Sequence, residues 1–110
     1  MEIKKIHDDL NLEVALIGRL DAITAIELDK SLRSELDEIE KLTIDLKDLE
    51  YIASAGLRIL LKFKKRMDNH GAMKVINVKP QVREVMDMTG FSEFLMPDEG
   101  KKFGGFSIEF

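Results

Sequence analysis

The nucleophile whose surroundings suggest chemistry is Ser54, in the run Tyr51-Ile52-Ala53-Ser54-Ala55-Gly56. It falls between a strand-like stretch and the start of an amphipathic helix, where a serine hydroxyl can accept from a free backbone N–H. A capping role alone would account for a serine there. Its neighbours open a second reading, because Ala53, Ala55 and Gly56 leave the hydroxyl unshielded and let another molecule approach the backbone closely. The unpaired N–H groups of a helix start carry partial positive charge, so a phosphate on Ser54 would be tolerated without unfolding the domain.

Other chemistries fit less well. A serine hydrolase with its nucleophile on a strand-to-helix turn needs glycine two residues earlier, where this chain has Ile52. It also needs a histidine within hydrogen-bond reach. His70 would lie about 24 Å further along the same helix, at ~1.5 Å per residue, which leaves only His7. His7 beside Asp8 and Asp9 lacks further ligands at metal-binding spacing and reads as an ordinary turn. The chain has no cysteine, so it has no disulfide, thiolate metal site or cysteine nucleophile. It has no phosphate-cradling glycine-rich loop either. The expectation is a protein that is not an enzyme and uses no cofactor.

Seventeen basic against 21 acidic residues give a net charge of −4, the opposite of the basic excess that coats a phosphate backbone. Arg58, Lys62, Lys65 and Arg66 form a basic stripe on one side of the second helix. It reads as a solvated face, with an acidic-partner or nucleic-acid surface as the alternative. No apolar run approaches the ~20 residues of a membrane span, and the first ten residues lack a signal-peptide core. The expected location is the cytoplasm.

The elements that must position Ser54 follow from periodicity. Residues 3–7 read as a strand, Asp8 to Asn11 as a turn, and Leu12–Gly18 as a strand apolar enough for burial on both faces. Thr24 and Glu27 have capping-box spacing, and Ala25, Leu28, Leu32, Leu36 and Ile39 then form one helical stripe. Asp29, Lys30, Arg33, Glu35 and Asp37 fall on the outer face. Leu42, Ile44 and Leu46 alternate as a strand. The helix capped by Ser54 turns Leu57, Leu60, Leu61, Lys64 and Met67 inward, with Ile59 and Phe63, and Gly71 supplies a left-handed residue to end it. Met73–Val78 is a further strand. A short helix through Val82, Val85, Met86 and Thr89 closes at Gly90, and Phe91–Met96 is a last ordered stretch. Met73, Met86, Met88 and Met96 read as core filler. The result is an α/β domain with a small mixed sheet of four to five strands flanked by helices, in the order β-β-α-β-α-β-α-β. One domain spans 1–110, and its 97–110 tail is an edge strand or a flexible end.

Three stretches in this order carry a resemblance. Asp45-Leu-x-x-Leu49-x-Tyr51-Ile52-Ala53-Ser54-Ala55-Gly56-Leu57 resembles the signature of STAS domains, the anti-sigma factor antagonists of bacteria. Gly18-Arg19-Leu20-Asp21-Ala22-Ile23-Thr24-Ala25 is similar to the family's Gly-x-Leu/Ile-Asp-x-x-(Thr/Ser)-Ala segment, and Met88-Thr89-Gly90-Phe91 to its third motif. The resemblance implies a protein that, unphosphorylated, binds an anti-sigma factor that is itself a serine kinase, freeing the sigma factor. Phosphorylation on the serine matched by Ser54 separates the pair, and a metal-dependent serine phosphatase restores binding. Asp21 is implied as a partner-contacting acid, although by itself it also reads as a turn or helix-start residue. Thr24, Ala53, Ala55, Gly56 and Arg58 complete the implied contact set, with Thr24 and Gly56 looking structural. The chain departs from the family at Ala53, where an acid is frequent, and at Ala55, where a second hydroxyl is frequent. Arg58, one turn beyond Ser54, would either hold a phosphate or touch a partner. These departures leave a second reading, a STAS-like scaffold in a signalling or transporter complex with no phosphorylation cycle.

Overall fold

The computed structural model describes residues 1–92 and 108–109. Strands β1 (Glu2–Asp8) and β2 (Asn11–Leu20) form an antiparallel hairpin that feeds helix α1 (Ala22–Leu32). The chain returns through β3 (Lys41–Asp45) and β4 (Leu49–Ile52) to α2 (Ser54–Met67), then β5 (Ala72–Ile76), α3 (Pro80–Thr89) and the two-residue β6 (Ile108–Glu109). The sheet runs β1-β2-β3-β5-β6, with β4 paired to β2 outside this path. The pairs β2–β3, β2–β4 and β3–β5 are parallel, and β5–β6 is antiparallel. The mixed sheet flanked by helices is therefore as expected, with β4 an addition. The expected stretch Phe91–Met96 falls mostly outside the described residues, as does the tail apart from β6.

Strand β2 is longer than expected because it serves two partners in turn. Residues Asn11 to Ala15 pair with β3, whereas Gly18 to Leu20 pair with β4. Between them the register shifts at Gly18, whose φ of +109° suits glycine and whose N–H donates to the Asp48 carbonyl at 3.1 Å. The reading of β2 as buried on both faces is corrected: Leu12, Val14 and Leu16 are buried, but Asn11 and Glu13 are exposed. Only the helix-bearing face carries the core, where these side chains meet Leu42, Ile44, Met73 and Val75 of the neighbouring strands.

The apolar stripe after Thr24 is buried as expected, but the helix is shorter than the stripe. α1 ends at Leu32, and turns over Arg33 to Glu38 carry Leu36 and Ile39 into the core. The start is corrected as well. The capping box joins Asp21 and Thr24 rather than Thr24 and Glu27. Asp29, expected on the outer face, is buried instead. On α2 the buried residues are Gly56, Leu57, Leu60, Phe63 and Met67, while Leu61, Ile59 and Lys64 are only half-buried. Met88, expected in the core, is 79% exposed.

Gly71 does not end α2 through a left-handed conformation, since only Gly18 and Gly90 among the described glycines have positive φ. It is needed for close approach: a Cβ there would lie 2.1 Å from the Glu40 carbonyl oxygen. Gly90 does take the left-handed form that closes α3 (φ +78°).

Candidate functional site

Two helix starts lie side by side. β2 and β4 run parallel, pair Leu20 with Ile52, and end together, so α1 and α2 both leave from the same end of the sheet. The Ala53 N–H donates to the Leu20 carbonyl at 2.9 Å, which fixes the two starts to each other. They are capped differently. Asp21 Oδ1 accepts from the N–H groups of Ile23 and Thr24, each at 3.0 Å. In return Thr24 Oγ1 accepts from the Asp21 N–H at 2.8 Å and donates to the Arg19 carbonyl at 2.9 Å. The hydrogen bond from the Thr24 N–H, above all, holds the Asp21 carboxyl below its ordinary 3.8. Asp21 is thus a helix cap, and Thr24 is its partner.

α2 has no such side-chain cap. Its N-cap residue is Ala53, in extended conformation, with Ser54 the first residue inside the helix. This corrects the expectation that Ser54 is the cap. The reason lies in β4, which continues to Ile52 and hands Ala53 directly to Leu20, so the extended cap position falls one residue early. The consequence is chemical. Ser54 is exposed, and its hydroxyl has no hydrogen-bond partner among the described residues. The oxygen is open to a visiting molecule.

The remaining expected contact residues separate. Ala53 and Ala55 are half-buried beside Ser54, and Arg58 is exposed one turn on. Gly56, placed with the partner contacts, is buried instead: a Cβ there would stand 2.7 Å from Leu20 Cγ and 2.9 Å from the Leu20 carbonyl oxygen. Its absent side chain lets α2 sit down on the end of β2, and this packing is its role.

Several surface residues near Ser54 escaped the sequence reading. A shallow groove of about 320 Å³ between α1 and α2 is lined by Ala22, Ala25, Ile26, Asp29, Ala55, Arg58, Ile59 and Lys62. Ile26 is 58% exposed at its edge and Ile23, on the same helix, 73%. Both lie off the stripe of Ala25, Leu28 and Leu32, so their position on the solvent side was the signal available. At the strand ends the Arg19 guanidinium stacks 4.1 Å from the centre of the Tyr51 ring. The groove floor ends at Asp29, which receives Arg33 at 2.8 Å and Lys62 at 3.2 Å. Burial pushes the Asp29 carboxyl up, but the hydrogen bonds from Lys62 and Arg33 outweigh it and hold the group below 3.8. The basic stripe is accordingly half neutralised, since Arg66 also pairs with Asp37 at 2.7 Å.

A hydrolytic triad does not assemble. His7 pairs in register with Leu12, whereas Ser54 lies two residues beyond Ile52, the partner of Leu20, so they lie at opposite ends of β2, whose span from Leu12 to Leu20 is roughly 26 Å at ~3.3 Å per residue. His7 Nε2 instead meets Glu35 Oε1 at 2.8 Å, and His70 Nε2 meets the Leu36 carbonyl at 2.7 Å. Among the described residues no group of three potential ligands is placed to hold a metal, and no helix is long and apolar enough to cross a membrane.

The model of the STAS domain family matches residues 2–103. Over 82 residues the chain is 35% identical to the Bordetella bronchiseptica protein that carries the name anti-sigma factor antagonist BtrV, covering 73% of this chain and 71% of that one. The anti-sigma factor antagonist SpoIIAA, solved in its unphosphorylated form, superposes with a TM-score of 0.76 at 16% identity, covering 91% of this chain and 93% of that one. The phosphorylated form of the Bacillus protein SpoIIAA gives a TM-score of 0.68 at 14% identity, with 91% and 96% covered.

Proposed function

The chain belongs to the STAS family, and from that premise we propose that it is an anti-sigma factor antagonist switched by phosphorylation of Ser54. Relatives of the family bear the antagonist name, and one such protein is known in both unphosphorylated and phosphorylated forms. In this reading the unphosphorylated protein docks an anti-sigma factor on the surface formed by the starts of α1 and α2, and the sigma factor is released. The partner is itself a serine kinase. It joins the γ-phosphorus of ATP to Ser54 Oγ, ADP leaves, and the hydroxyl proton passes to a base of the kinase. A metal-dependent serine phosphatase hydrolyses the ester and restores binding. The protein itself is a cytoplasmic binding module and catalyses nothing.

The observation that carries this reading is the freedom of one hydroxyl. Ser54 is exposed, has no hydrogen-bond partner among the described residues, and stands on a helix start pinned to its neighbour through Ala53 and Leu20. A phosphate there adds about −1.5 to −2 charge. Lowering affinity 100–1000-fold takes roughly 3–4 kcal/mol. A dianion that the partner's side of the interface leaves unmatched costs on that order, so no rearrangement of the fold is required. Incubation with the cognate kinase and ATP, followed by intact-mass measurement, tests the assignment. One phosphate on the parent chain and none on Ser54→Ala is the expected result, while phosphate retained on Ser54→Ala overturns the choice of serine.

A further inference from the structure

The four cations along the outer side of α2 are not equivalent. Lys62 is held by Asp29 and Arg66 by Asp37. Among the described residues Lys65 and Arg58 are exposed and have no charged or hydrogen-bonded partner, and the nearer of the two to Ser54 is Arg58. It lies four positions after Ser54 on one uninterrupted helix, and side chains so spaced are neighbours on the helix surface. The groove beside it is lined by the small residues Ala22, Ala25 and Ala55 and by Asp29, whose carboxylate is already held by Arg33 and Lys62. A hydroxyl and a guanidinium, neither with a partner among the described residues, therefore share one face of α2.

We propose that Arg58 is the second half of the switch: once Ser54 is phosphorylated, the Arg58 guanidinium turns one helical turn back and binds the phosphate within the same chain. The planar fork of arginine suits two phosphate oxygens at once. Because the pairing is intramolecular, it outcompetes a carboxylate offered by a partner at ordinary concentration. Phosphorylation then acts twice on the docking surface. It adds a dianion at Ser54, and it withdraws from partners the cation of this face that stands nearest Ser54. Local charge moves from +1 to about −0.5 to −1.

This inference rests on Ser54 being the phosphoacceptor, yet its test does not need the kinase. Phosphoserine is placed at position 54 of the full chain during translation, and the phosphorus NMR signal is followed against pH at low salt. The second ionisation of the phosphate is expected at least about 0.5 pH unit lower in the parent than in Arg58→Gln, with Lys65→Gln behaving like the parent. Any effect of the helix start itself persists in Arg58→Gln and cancels in the comparison. As a check independent of substitution, the Arg58 Nε–H signal of the parent is expected to shift downfield on phosphorylation. Equal phosphate midpoints in parent and Arg58→Gln, or an Arg58 Nε–H signal unmoved by the phosphate, overturn the inference. Either result leaves the phosphorylation of Ser54 standing. Absence of kinase labelling at Ser54, conversely, leaves the phosphate–Arg58 measurement valid.

Discussion

Gly56 rests against Leu20 so closely that a Cβ on it would come within 2.7 Å of Leu20 Cγ and 2.9 Å of the Leu20 carbonyl oxygen. Leu20 is the last residue of β2, and the same carbonyl accepts from the Ala53 N–H. One backbone oxygen therefore sets the height at which α2 starts and, through it, the exposure of Ser54.

Gly56→Ala is expected to destabilise the domain by about 1–3 kcal/mol, because the obstructing atoms include backbone that cannot swing aside. This outcome reverses the usual helix preference, under which alanine gains up to ~1 kcal/mol over glycine. Urea unfolding midpoints decide the sign, and a stabilised variant would contradict the packing role.

Asp21→Ala should lower the unfolding midpoint and Asp21→Asn much less, since asparagine still accepts from the Ile23 and Thr24 N–H groups. Thermal unfolding of the pair checks this. Equal losses in both variants would mean that charge, not capping, is what Asp21 supplies to the fold.

Stability is expected to fall on acidification, and the sign follows from carboxyls held low in the folded state, among them Asp21, Asp29 and Glu35. Asp21 owes this chiefly to the Thr24 N–H; Asp29 and Glu35 owe it to hydrogen bonds that outweigh their burial, from Lys62 and Arg33 and from Lys5 and His7. Groups with depressed folded values stabilise above their ordinary values, here 3.8 for aspartate and 4.5 for glutamate, and lose that contribution as pH falls through the folded ones. Urea midpoints should therefore be level near neutrality and decline below about pH 5, with a shallower decline in Asp29→Asn. A midpoint rising toward pH 3 would refute the linkage.

Ile26→Glu tests the groove as a docking surface. With Ile26 58% exposed, folding stability should change by no more than about 0.5 kcal/mol. Binding to the anti-sigma factor should weaken about tenfold or more, as expected for a charge set at the apolar part of an interface. Unchanged affinity would move the docking surface away from α1.

Much of this was legible in the residues, and the exceptions share a cause. The alternation of Leu42, Ile44 and Leu46 and the stripe Leu28–Leu32–Leu36 identify what is buried, because periodicity reports which side chains face the core. It does not report where hydrogen bonding stops. α1 therefore ends at Leu32 although Leu36 and Ile39 remain buried. The stretch before Ser54 reads as strand-like, but Leu49-Glu50-Tyr51-Ile52 is too short to show a period, so β4 has no place of its own in the expected order; it is set by the end of β2 beside it. The same pairing moved the cap from Ser54 to Ala53. Ser54 is singled out in the sequence by its small neighbours Ala53, Ala55 and Gly56, and the structure shows it exposed. The pairing of Asp29 with Lys62 joins residues 33 apart and leaves no local trace.

The most direct test is the dissociation constant for the cognate anti-sigma factor, measured on the same chain with serine and with phosphoserine at position 54. The account predicts affinity at least about 100-fold weaker for the phosphorylated chain, with its unfolding midpoint unchanged. Equal affinities of the two forms, both folded, would contradict it.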